Sequence, residues 1–178
     1  MKNNIPFSEE KDLEKRPIPF RPKIRPQDGY YVTGFIDGEG SFYSVARKRP
    51  DYSTGWKFSA VFSVGNKDKS TIDLCQKIFG CGEIRKSTLE DFFILEITNR
   101  KLITQLILPF FEEYPFLTKK KQQEFELFKR LVTLIDKRIQ TELDLEQFLS
   151  IRRQLDEYRQ SRASNTDEII RKTFKPQG

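Results

Sequence analysis

The segment GYYVTGFIDGEGSFY, residues 29–43, limits the possible folds of this chain more than any other. Three glycines, Gly34, Gly38 and Gly40, surround two carboxylates directly behind an apolar stretch. Glycine weakens a helix by about 1 kcal/mol relative to alanine, and an acid at a helix C-terminus costs about 0.3–1 kcal/mol against the helix dipole. A helix here therefore needs outside support, which a second helix packed very close or a bound cation would each provide.

Asp28 is the predicted N-cap of a helix over residues 29–38. The expected apolar face comprises Tyr31, Val32, Phe35 and Ile36, and the other face comprises Thr33, Gly34, Asp37 and Gly38. The GxxxG spacing on the second face lets two helix backbones approach closely. Asp37 and Glu39 would diverge on a continuous helix, so the two glycines beside them are expected to let the chain leave the helix there.

Composition restricts the chemistry of the chain. The sequence holds no histidine, which excludes histidine–zinc sites and histidine-dependent nucleophilic catalysis, so any catalysis must use carboxylates, lysines, arginines, tyrosines or a metal. The net charge of +6 favours a phosphate-bearing partner, although charge alone fits an ordinary basic protein equally well. Cys75 and Cys81 form neither a disulfide framework nor a CxxC pair, which indicates a reducing compartment. The chain contains no 18-residue apolar run, so we expect no transmembrane helix.

The strand signals predict two β-hairpins. Residues 41–49 and 56–64 alternate between apolar and polar side chains on either side of the turn cluster PDYSTG. The segments GEIRKS and DFFILEIT predict the second hairpin. With a helix before, between and after the hairpins, this order indicates an α+β fold with an antiparallel sheet.

The remaining helices are predicted from caps and periodicity. One helix is expected over residues 69–79, capped by Asp68, and another over residues 101–111, capped by Asn99 and broken near Pro109. Two amphipathic helices follow, in TKKKQQEFELFKRLVTLIDKR and DLEQFLSIRRQLDEYRQ.

Shifts in composition divide the chain into three parts. Residues 1–27 are proline-rich and basic and predict a flexible arm, with a disordered leader favoured over an arm that lies along a phosphate backbone. Residues 28–160 contain the predicted helices and strands and form one domain. Residues 161–178 are polar and are predicted to form a loose tail.

Two segments are candidates for chemistry at a phosphate. Asp37 and Glu39 offer hard oxygen ligands that favour Mg²⁺ or Ca²⁺, with substrate phosphate, water or a second subunit completing the shell. The alternative is an ordinary DG turn between a helix and a strand. Residues 118–123, TKKKQQ, place lysines at a helix start, where a phosphate partner or plain solvation would each explain them.

The hairpins are predicted to share a polar, cationic face. The first hairpin contributes Ser41, Tyr43, Arg47, Arg49, Lys57, Ser59 and Ser63, and further basic residues are Lys48, Arg85 and Lys86. A two-stranded ribbon fits the major groove of DNA, where arginine and lysine read guanine. The alternative is the solvent-exposed face of an antiparallel sheet, which is equally polar.

The stretch VTGFIDGEG, from Val32 to Gly40, and the SF after it resemble the motif of the LAGLIDADG homing endonucleases. The segment PFLTKKKQQEFELFK is similar to the family's later lysine-bearing segment, and the resemblance covers about residues 28–135. It implies an αββαββα core with an antiparallel β-sheet saddle for DNA, plus C-terminal helices. The single copy of the motif implies a homodimer whose motif helices cross at a two-fold axis. The implied interface residues are Thr33, Gly34, Asp37 and Gly38.

The resemblance also implies roles for individual residues. Glu39 matches the metal-binding acid, and Gly38 matches the residue that offers its backbone carbonyl to the metal. The implied catalytic residues are Glu39, Lys120 and Asn66, with Lys119 and Lys121 as alternative registers for the lysine. The implied DNA-binding residues are Ser41, Tyr43, Arg47, Arg49, Lys57, Ser59, Ser63, Arg85 and Ser87. Mg²⁺ is the implied cofactor, and Ca²⁺ is expected to occupy the same site without supporting cleavage.

The implied function is that of a site-specific double-stranded DNA endonuclease. It would cleave a long pseudo-palindromic target as a homodimer by metal-assisted hydrolysis of phosphodiesters. Alternatives on the same fold are an intron RNA maturase and a DNA-binding protein that does not cleave. A basic adaptor without a nucleic acid partner would leave Gly34, Gly38 and the clustered charge unexplained. The resemblance implies an organellar or bacterial cytoplasmic location, without secretion or membrane attachment.

Overall fold

The computed structural model of the protein describes residues 23–88, 91–159 and 166–177. In these ranges the helices are α1 (Pro26–Glu39), α2 (Lys69–Phe79), α3 (Arg100–Leu102), α4 (Leu108–Glu113), α5 (Lys119–Asp136), α6 (Glu142–Tyr158) and α7 (Thr166–Thr173), and a π-helical turn (Ile103–Ile107) joins α3 to α4. The strands are β1 (Gly40–Lys48), β2 (Trp56–Asn66), β3 (Glu83–Lys86) and β4 (Phe93–Ile97). Within the same ranges, no helix has the length and apolar character needed to cross a membrane. Most of the predicted arm, residues 1–22, lies outside the described residues.

The four described strands form one antiparallel sheet in the order β1-β2-β4-β3. β1 pairs with β2 along its whole length, from Gly40 opposite Val64 to Lys48 opposite Trp56. β4 pairs with the other edge of β2, and β3 completes the second hairpin. Both predicted hairpins, the α+β class and the αββαββα order are therefore confirmed, as are the amphipathic helices α5 and α6.

Alternation along the strands separates an apolar face of the sheet from a polar face. Phe42, Phe62, Val64 and Leu95 are almost fully buried on the apolar face, against which the helices pack. There the ring of Phe42 lies 5.2 Å from that of Phe62 and 4.8 Å from that of Phe128 in α5. Each such aromatic pair adds about 0.5–1.5 kcal/mol beyond the area it buries. The described core therefore lies on one side of the sheet.

Helix α1 begins earlier and ends later than predicted. Pro26 lies in its first turn, where the missing N–H would have no partner within the helix in any case. Asp28 is therefore not the N-cap; its carboxylate accepts a hydrogen bond from the Arg25 guanidinium at 2.7 Å. The chain leaves the helix at Gly40, one of the two glycines predicted to allow this, so Glu39 is the last helical residue.

The end of α1 requires glycine at position 40 because a side chain would not fit there, and not because the backbone adopts a conformation that only glycine tolerates. Its φ of −78° is an extended conformation that any residue adopts. A Cβ at this position would overlap the side chain of Ile36 and would lie 2.7 Å from the Ile36 carbonyl oxygen. Any larger residue would therefore push β1 away from α1.

The buried side of α1 is rotated relative to the predicted one. Val32 and Ile36 are fully buried as predicted, but Tyr31 is 57% exposed and Thr33 is only 4% exposed. The Thr33 hydroxyl donates to the carbonyl of Tyr114 at 3.0 Å. The assignments of Tyr31 to the core and of Thr33 to a dimer interface are therefore wrong. Apolar residues flank the buried side in both directions, so periodicity alone could not settle its centre.

The helices on either side of the second hairpin begin at the capping residues predicted for them. The Asp68 side chain accepts an N–H of the first turn of α2 at 2.9 Å, and Gly80 closes that helix with a left-handed φ of 68°. Asn99 caps α3 as predicted, but Pro109 does not break the helical segment that follows. The π turn directly before Pro109 widens the helix, which relieves the clash between a proline ring and the preceding turn.

The C-terminal segment is packed. Ile170 of α7 is fully buried, and Phe174 is 8% exposed. The indole Nε1 of Trp56 donates to the hydroxyl of Thr173 at 3.1 Å. Over residues 166–177 the prediction of a loose tail is therefore wrong, because two apolar side chains one helical turn apart anchor a mostly polar sequence.

Candidate functional site

A polar pocket opens where the end of α1 meets the start of α5. α1 supplies Glu39, α5 supplies Lys120, and the end of α6 closes a further side. The structure thus places in one pocket the acid and the lysine that the resemblance implies for catalysis. The pocket is lined by Asp37, Gly38, Glu39, Gly40, Ser41, Lys120, Lys121, Glu124, Tyr158 and Arg159.

The three consecutive lysines of α5 have different environments. Lys121 is buried, and its ammonium donates to the carbonyl of Gly40 at 2.8 Å and pairs with the carboxylate of Glu124 at 2.8 Å. Lys120 is exposed at the pocket, whereas Lys119 is exposed away from it. Lys121 is therefore engaged in holding the start of β1, and Lys120 is the lysine that can meet a ligand.

Glu124 completes the buried ion pair. Its Oε2 faces Lys121, while its Oε1 accepts the backbone N–H of Phe42 at 3.1 Å. A buried pair of charges is tolerated when further hydrogen bonds satisfy both partners, and this condition is met here. The pair fastens the first turn of α5 to the first residues of β1, directly behind Glu39.

Asp37 positions α5 against α1. Its carboxylate accepts a hydrogen bond from the hydroxyl of Thr118 at 2.6 Å, and Thr118 caps α5 by accepting the N–H of Lys121. The positive end of the α5 dipole therefore lies beside the acids at the negative end of α1. The unfavourable position of these acids is thus offset partly within one chain, and Glu39 is the acid left exposed at the pocket.

Glu39 and Gly38 provide donors that fit a divalent cation. The Glu39 side chain is exposed at the pocket, and the Gly38 carbonyl belongs to the last turn of α1, whose carbonyls lack partners within the helix. Both are hard oxygen donors of the type that Mg²⁺ and Ca²⁺ prefer. In the described part of the chain, no three carboxylate or cysteine side chains cluster closely enough to hold a metal alone. A phosphate, water or a second chain would have to complete the shell.

One side of α1 forms an open strip, defined by Tyr30, Tyr31, Gly34 and Gly38. The two tyrosines are 56% and 57% exposed. A Cβ built on either glycine would meet no described atom within 4 Å. Gly29 contrasts with them, because a Cβ there would overlap a tyrosine ring of the chain's own core. The open strip therefore leaves room for a second helix backbone, and this room is not used within the described chain.

The polar face of the sheet carries a groove. The register places Ser41 opposite Ser63 and Arg47 opposite Lys57 on this face. The groove is lined by Tyr43, Val45, Arg47, Lys57, Ser59, Val61, Arg85, Glu96 and Thr98. The common face predicted from alternation is confirmed for Ser41, Tyr43, Arg47, Lys57, Ser59, Ser63 and Arg85. Their contact with DNA stays a prediction.

Three predicted site residues lie at the last position of a strand or directly after it. Arg49 follows β1 and pairs with Asp51 at 3.0 Å, with its side chain only 20% exposed. Ser87 follows β3, and its N–H donates across the second hairpin turn at 2.8 Å. Asn66 ends β2, and its Oδ1 accepts the N–H of Asp68 at 2.9 Å, so the structure does not bring it into the pocket. Strand alternation could not place Arg49 and Ser87, which follow their strands, and it does not show which side chain the terminal Asn66 contacts.

Glu96 is an acid within the basic face that the sequence analysis missed. The Tyr43 hydroxyl donates to its Oε2 at 2.9 Å, and Nη2 of Arg85 donates to the same oxygen at 2.7 Å. Burial, followed by the charge of Glu96, raises the pKa of Tyr43 to about 12. Because β4 alternates like the other strands, its pattern could have assigned Glu96 to this face.

The end of α6 contributes two further pocket residues. The hydroxyl of Tyr158 donates to Oε1 of Gln123 at 3.3 Å, which holds this end of α6 against α5. The Cζ atom of Arg159 lies 4.0 Å from the centre of the Tyr43 ring. No local signal in the sequence marks either residue, because their position depends on how α6 packs across β1.

The fold and this pocket define a class of protein. Residues 32–132, more than half of the chain, match the family model described as LAGLIDADG endonuclease. The chain therefore belongs to the LAGLIDADG endonuclease family, as its motif predicted.

Particular relatives can also be named. The probable intron-encoded endonuclease 2 of Neurospora crassa is 36% identical over 112 residues, which make up 59% of this chain and 24% of that protein. The homing endonuclease I-SmaMI, solved with cleaved DNA, has a TM-score of 0.70 and 30% identity, covering 89% of this chain and 51% of its own. I-SmaMI was also solved with uncleaved DNA in the presence of calcium ions. The homing endonuclease I-TnaI has a TM-score of 0.67 and 27% identity, covering 85% of this chain and 97% of its own.

The lengths of these relatives differ in an informative way. The chain spans about a quarter of the Neurospora protein, about half of I-SmaMI and nearly all of I-TnaI. The likeness to I-SmaMI and I-TnaI confirms the fold.

Proposed function

We propose that this protein is a site-specific endonuclease that cleaves double-stranded DNA as a homodimer. The observation that carries the proposal is the pocket at the end of α1, where the exposed Glu39 and Lys120 meet. Ser41 lines this pocket and also begins the polar face of the sheet, so the pocket is continuous with the basic face. The presence of cleaved DNA in the structure of I-SmaMI supports the same activity here.

The pocket residues suit hydrolysis of a phosphodiester. Glu39 and the Gly38 carbonyl would hold a divalent cation, which, when bound, lowers the pKa of water and offsets charge on the phosphate oxygens. Lys120 would place a positive charge beside the attacked phosphate, where it stabilises the charge that develops in the transition state. The Lys121–Glu124 pair keeps the start of β1, and so the spacing of these groups, fixed.

Mg²⁺ is the cofactor that we assign to cleavage. Oxygen donors and a phosphate substrate match its coordination preferences. Ca²⁺ is expected to support binding without cleavage, and the uncleaved I-SmaMI complex obtained with calcium ions supports this expectation.

The open strip of α1 supports the homodimer. Two α1 helices could cross at Gly34 and Gly38, which would bring two Glu39 side chains near one axis. The described fold matches 51% of the DNA-bound I-SmaMI, so two copies of this fold would supply a comparable scaffold. A two-fold symmetric protein matches a pseudo-palindromic target, read by the two polar sheet faces. The names of the relatives support an intron-encoded protein, for which we propose an organellar or bacterial cytoplasmic location.

Target selection followed by a cleavage assay tests the proposal. Duplexes bound by the wild-type protein in Ca²⁺ are selected from a random library and then incubated with protein and Mg²⁺. Wild-type protein is expected to cut both strands, and Glu39→Gln is expected to bind but cut at least about a hundredfold more slowly. Glu168→Gln, at an exposed glutamate of α7, is the control and should cut at the wild-type rate.

Three results would overturn the proposal. Glu39→Gln could cut at the wild-type rate, which removes the acid from the chemistry. Wild-type protein could bind duplexes without cutting in any divalent metal, which favours the non-cleaving alternative. It could instead bind its host intron RNA and no duplex, which favours the maturase.

A further inference from the structure

We propose, on the basis of the proposed function, that Arg159 binds a DNA backbone phosphate next to the one that is cleaved. Arg159 follows α6 and lies beyond residues 32–132, the part of the chain that the family model matches. It lines the same pocket as Glu39 and Lys120. The end of α6 would therefore add a cation to a site whose acid and lysine come from α1 and α5.

The guanidinium of Arg159 is held by an aromatic ring. Its Cζ atom lies 4.0 Å from the centre of the Tyr43 ring, within the range of cation–π stacking. Tyr43 is itself held, because its hydroxyl donates to Glu96 at 2.9 Å. Among the described residues, Arg159 forms no side-chain hydrogen bond and no ion pair within 4.0 Å, although its charge acts on Asp156 in the last turn of α6. A guanidinium that rests its face on a ring keeps its N–H edge for a phosphate, which arginine binds through two parallel hydrogen bonds.

The position of Arg159 joins the pocket to the groove. Tyr43 lines the groove on the polar sheet face, and Arg159, stacked on it, lines the pocket. A DNA strand that passes from the sheet face into the pocket must cross this boundary. The hydrogen bond from Tyr158 to Gln123 fixes the end of α6 one residue earlier, so the position of Arg159 is set before DNA binds.

Variants of Arg159, measured separately for DNA binding and for cleavage, test the inference. The experiment compares wild-type protein, Arg159→Ala and Arg159→Lys, with Arg130→Ala at an exposed position of α5 as the control. Affinity for the selected duplex is measured in Ca²⁺ over a salt series, and single-turnover cleavage is measured in Mg²⁺ at saturating protein.

Arg159→Ala is expected to bind about tenfold more weakly, with the slope of log K against log salt reduced by about one. Its cleavage rate at saturation should also fall, because the phosphate beside the cut is held less well. Arg159→Lys should keep the salt slope but recover only part of the rate, since lysine cannot bind phosphate through a planar pair of N–H groups. Arg130→Ala should match wild-type protein in both measurements.

A wild-type salt slope and rate in Arg159→Ala would overturn the inference while leaving the proposed function intact. A lower melting temperature of that variant with an unchanged slope and rate would assign Arg159 to packing alone. Failure of wild-type protein to bind any duplex would overturn both proposals together.

Discussion

The ammonium of Lys121 donates a hydrogen bond to the carbonyl oxygen of Gly40 over 2.8 Å, at the residue that follows the candidate metal acid Glu39. Its neighbour Lys120 is exposed at the pocket. Two adjacent lysines of one helix therefore have different surroundings, since Lys121 holds the start of β1 and Lys120 is exposed at the pocket. This division can be tested by separating stability from activity.

Lys121→Met is expected to lower the free energy of unfolding by about 3–5 kcal/mol, because it leaves the Glu124 carboxylate buried without its counter-charge. Lys120→Met should change stability by less than about 0.5 kcal/mol, as exposed substitutions usually do, while slowing cleavage of the selected duplex. Urea unfolding and the cleavage assay measure the two effects. Equal losses of stability in both variants would contradict the assignment.

Gly34→Val is expected to prevent dimerisation while leaving the fold of each subunit intact. Within the described chain, a Cβ at this position meets nothing within 4 Å, so valine fits inside the subunit. In the proposed dimer the second helix backbone would occupy that space. Light scattering measures the mass, circular dichroism checks the fold, and Leu143→Val, at a 69% exposed residue of α6, is the control. A Gly34→Val protein that remains dimeric would refute the proposed interface.

Tyr43 is expected to ionise near pH 12 in the folded protein, above the ordinary tyrosine value of 10.0. Because the folded pKa is higher than the unfolded one, the protonated phenol stabilises the fold fully below pH 10, and this contribution is lost as the pH rises toward 12. The ultraviolet titration of wild-type protein minus that of Tyr43→Phe isolates this phenol. Glu96→Gln should lower the pKa, while burial, the larger cause, keeps it above 10. Ionisation of Tyr43 at pH 10 in the wild-type protein would contradict the prediction.

Ile170→Ala is expected to destabilise the protein by about 2–5 kcal/mol, as large-to-small substitutions in a core do. The neighbouring Ile169 is 54% exposed, so Ile169→Ala is a matched control with an expected change below about 0.5 kcal/mol. Trp56 is the single tryptophan of the chain, and its hydrogen bond to Thr173 makes its fluorescence a reporter of α7 docking. Similar stabilities for the two variants would mean that α7 does not pack as described.

Local interactions explain which predictions were confirmed. The strands could be predicted because a sheet with one covered face requires alternation, as between Phe62 and Ser63. α2 could be predicted because Asp68 and Gly80 cap it through contacts within one turn. The start of α1 could not, because Asp28 is a good cap by type but Pro26 is a better first-turn residue. The packing of α7 was not predicted because its few apolar residues are buried through contacts with Trp56 and the core, which are distant in sequence.

By itself, the sequence determined the class of fold, the resemblance to the family, and the acid and the run of three lysines from which the pocket residues come. The class of fold depends on residue types at short spacings, which physical rules for turns, caps and strands can interpret, whereas the roles of the acid and the lysines were implied by the resemblance. Only the tertiary structure decided which lysine faces the pocket, which side of α1 stays open and how Arg159 reaches Tyr43. Lys120 and Lys121 are chemically identical and adjacent, so what separates them is where folding places the rest of the chain. The surroundings of a side chain are set mainly by residues distant in sequence, so they cannot be predicted from the pattern of its neighbours along the chain.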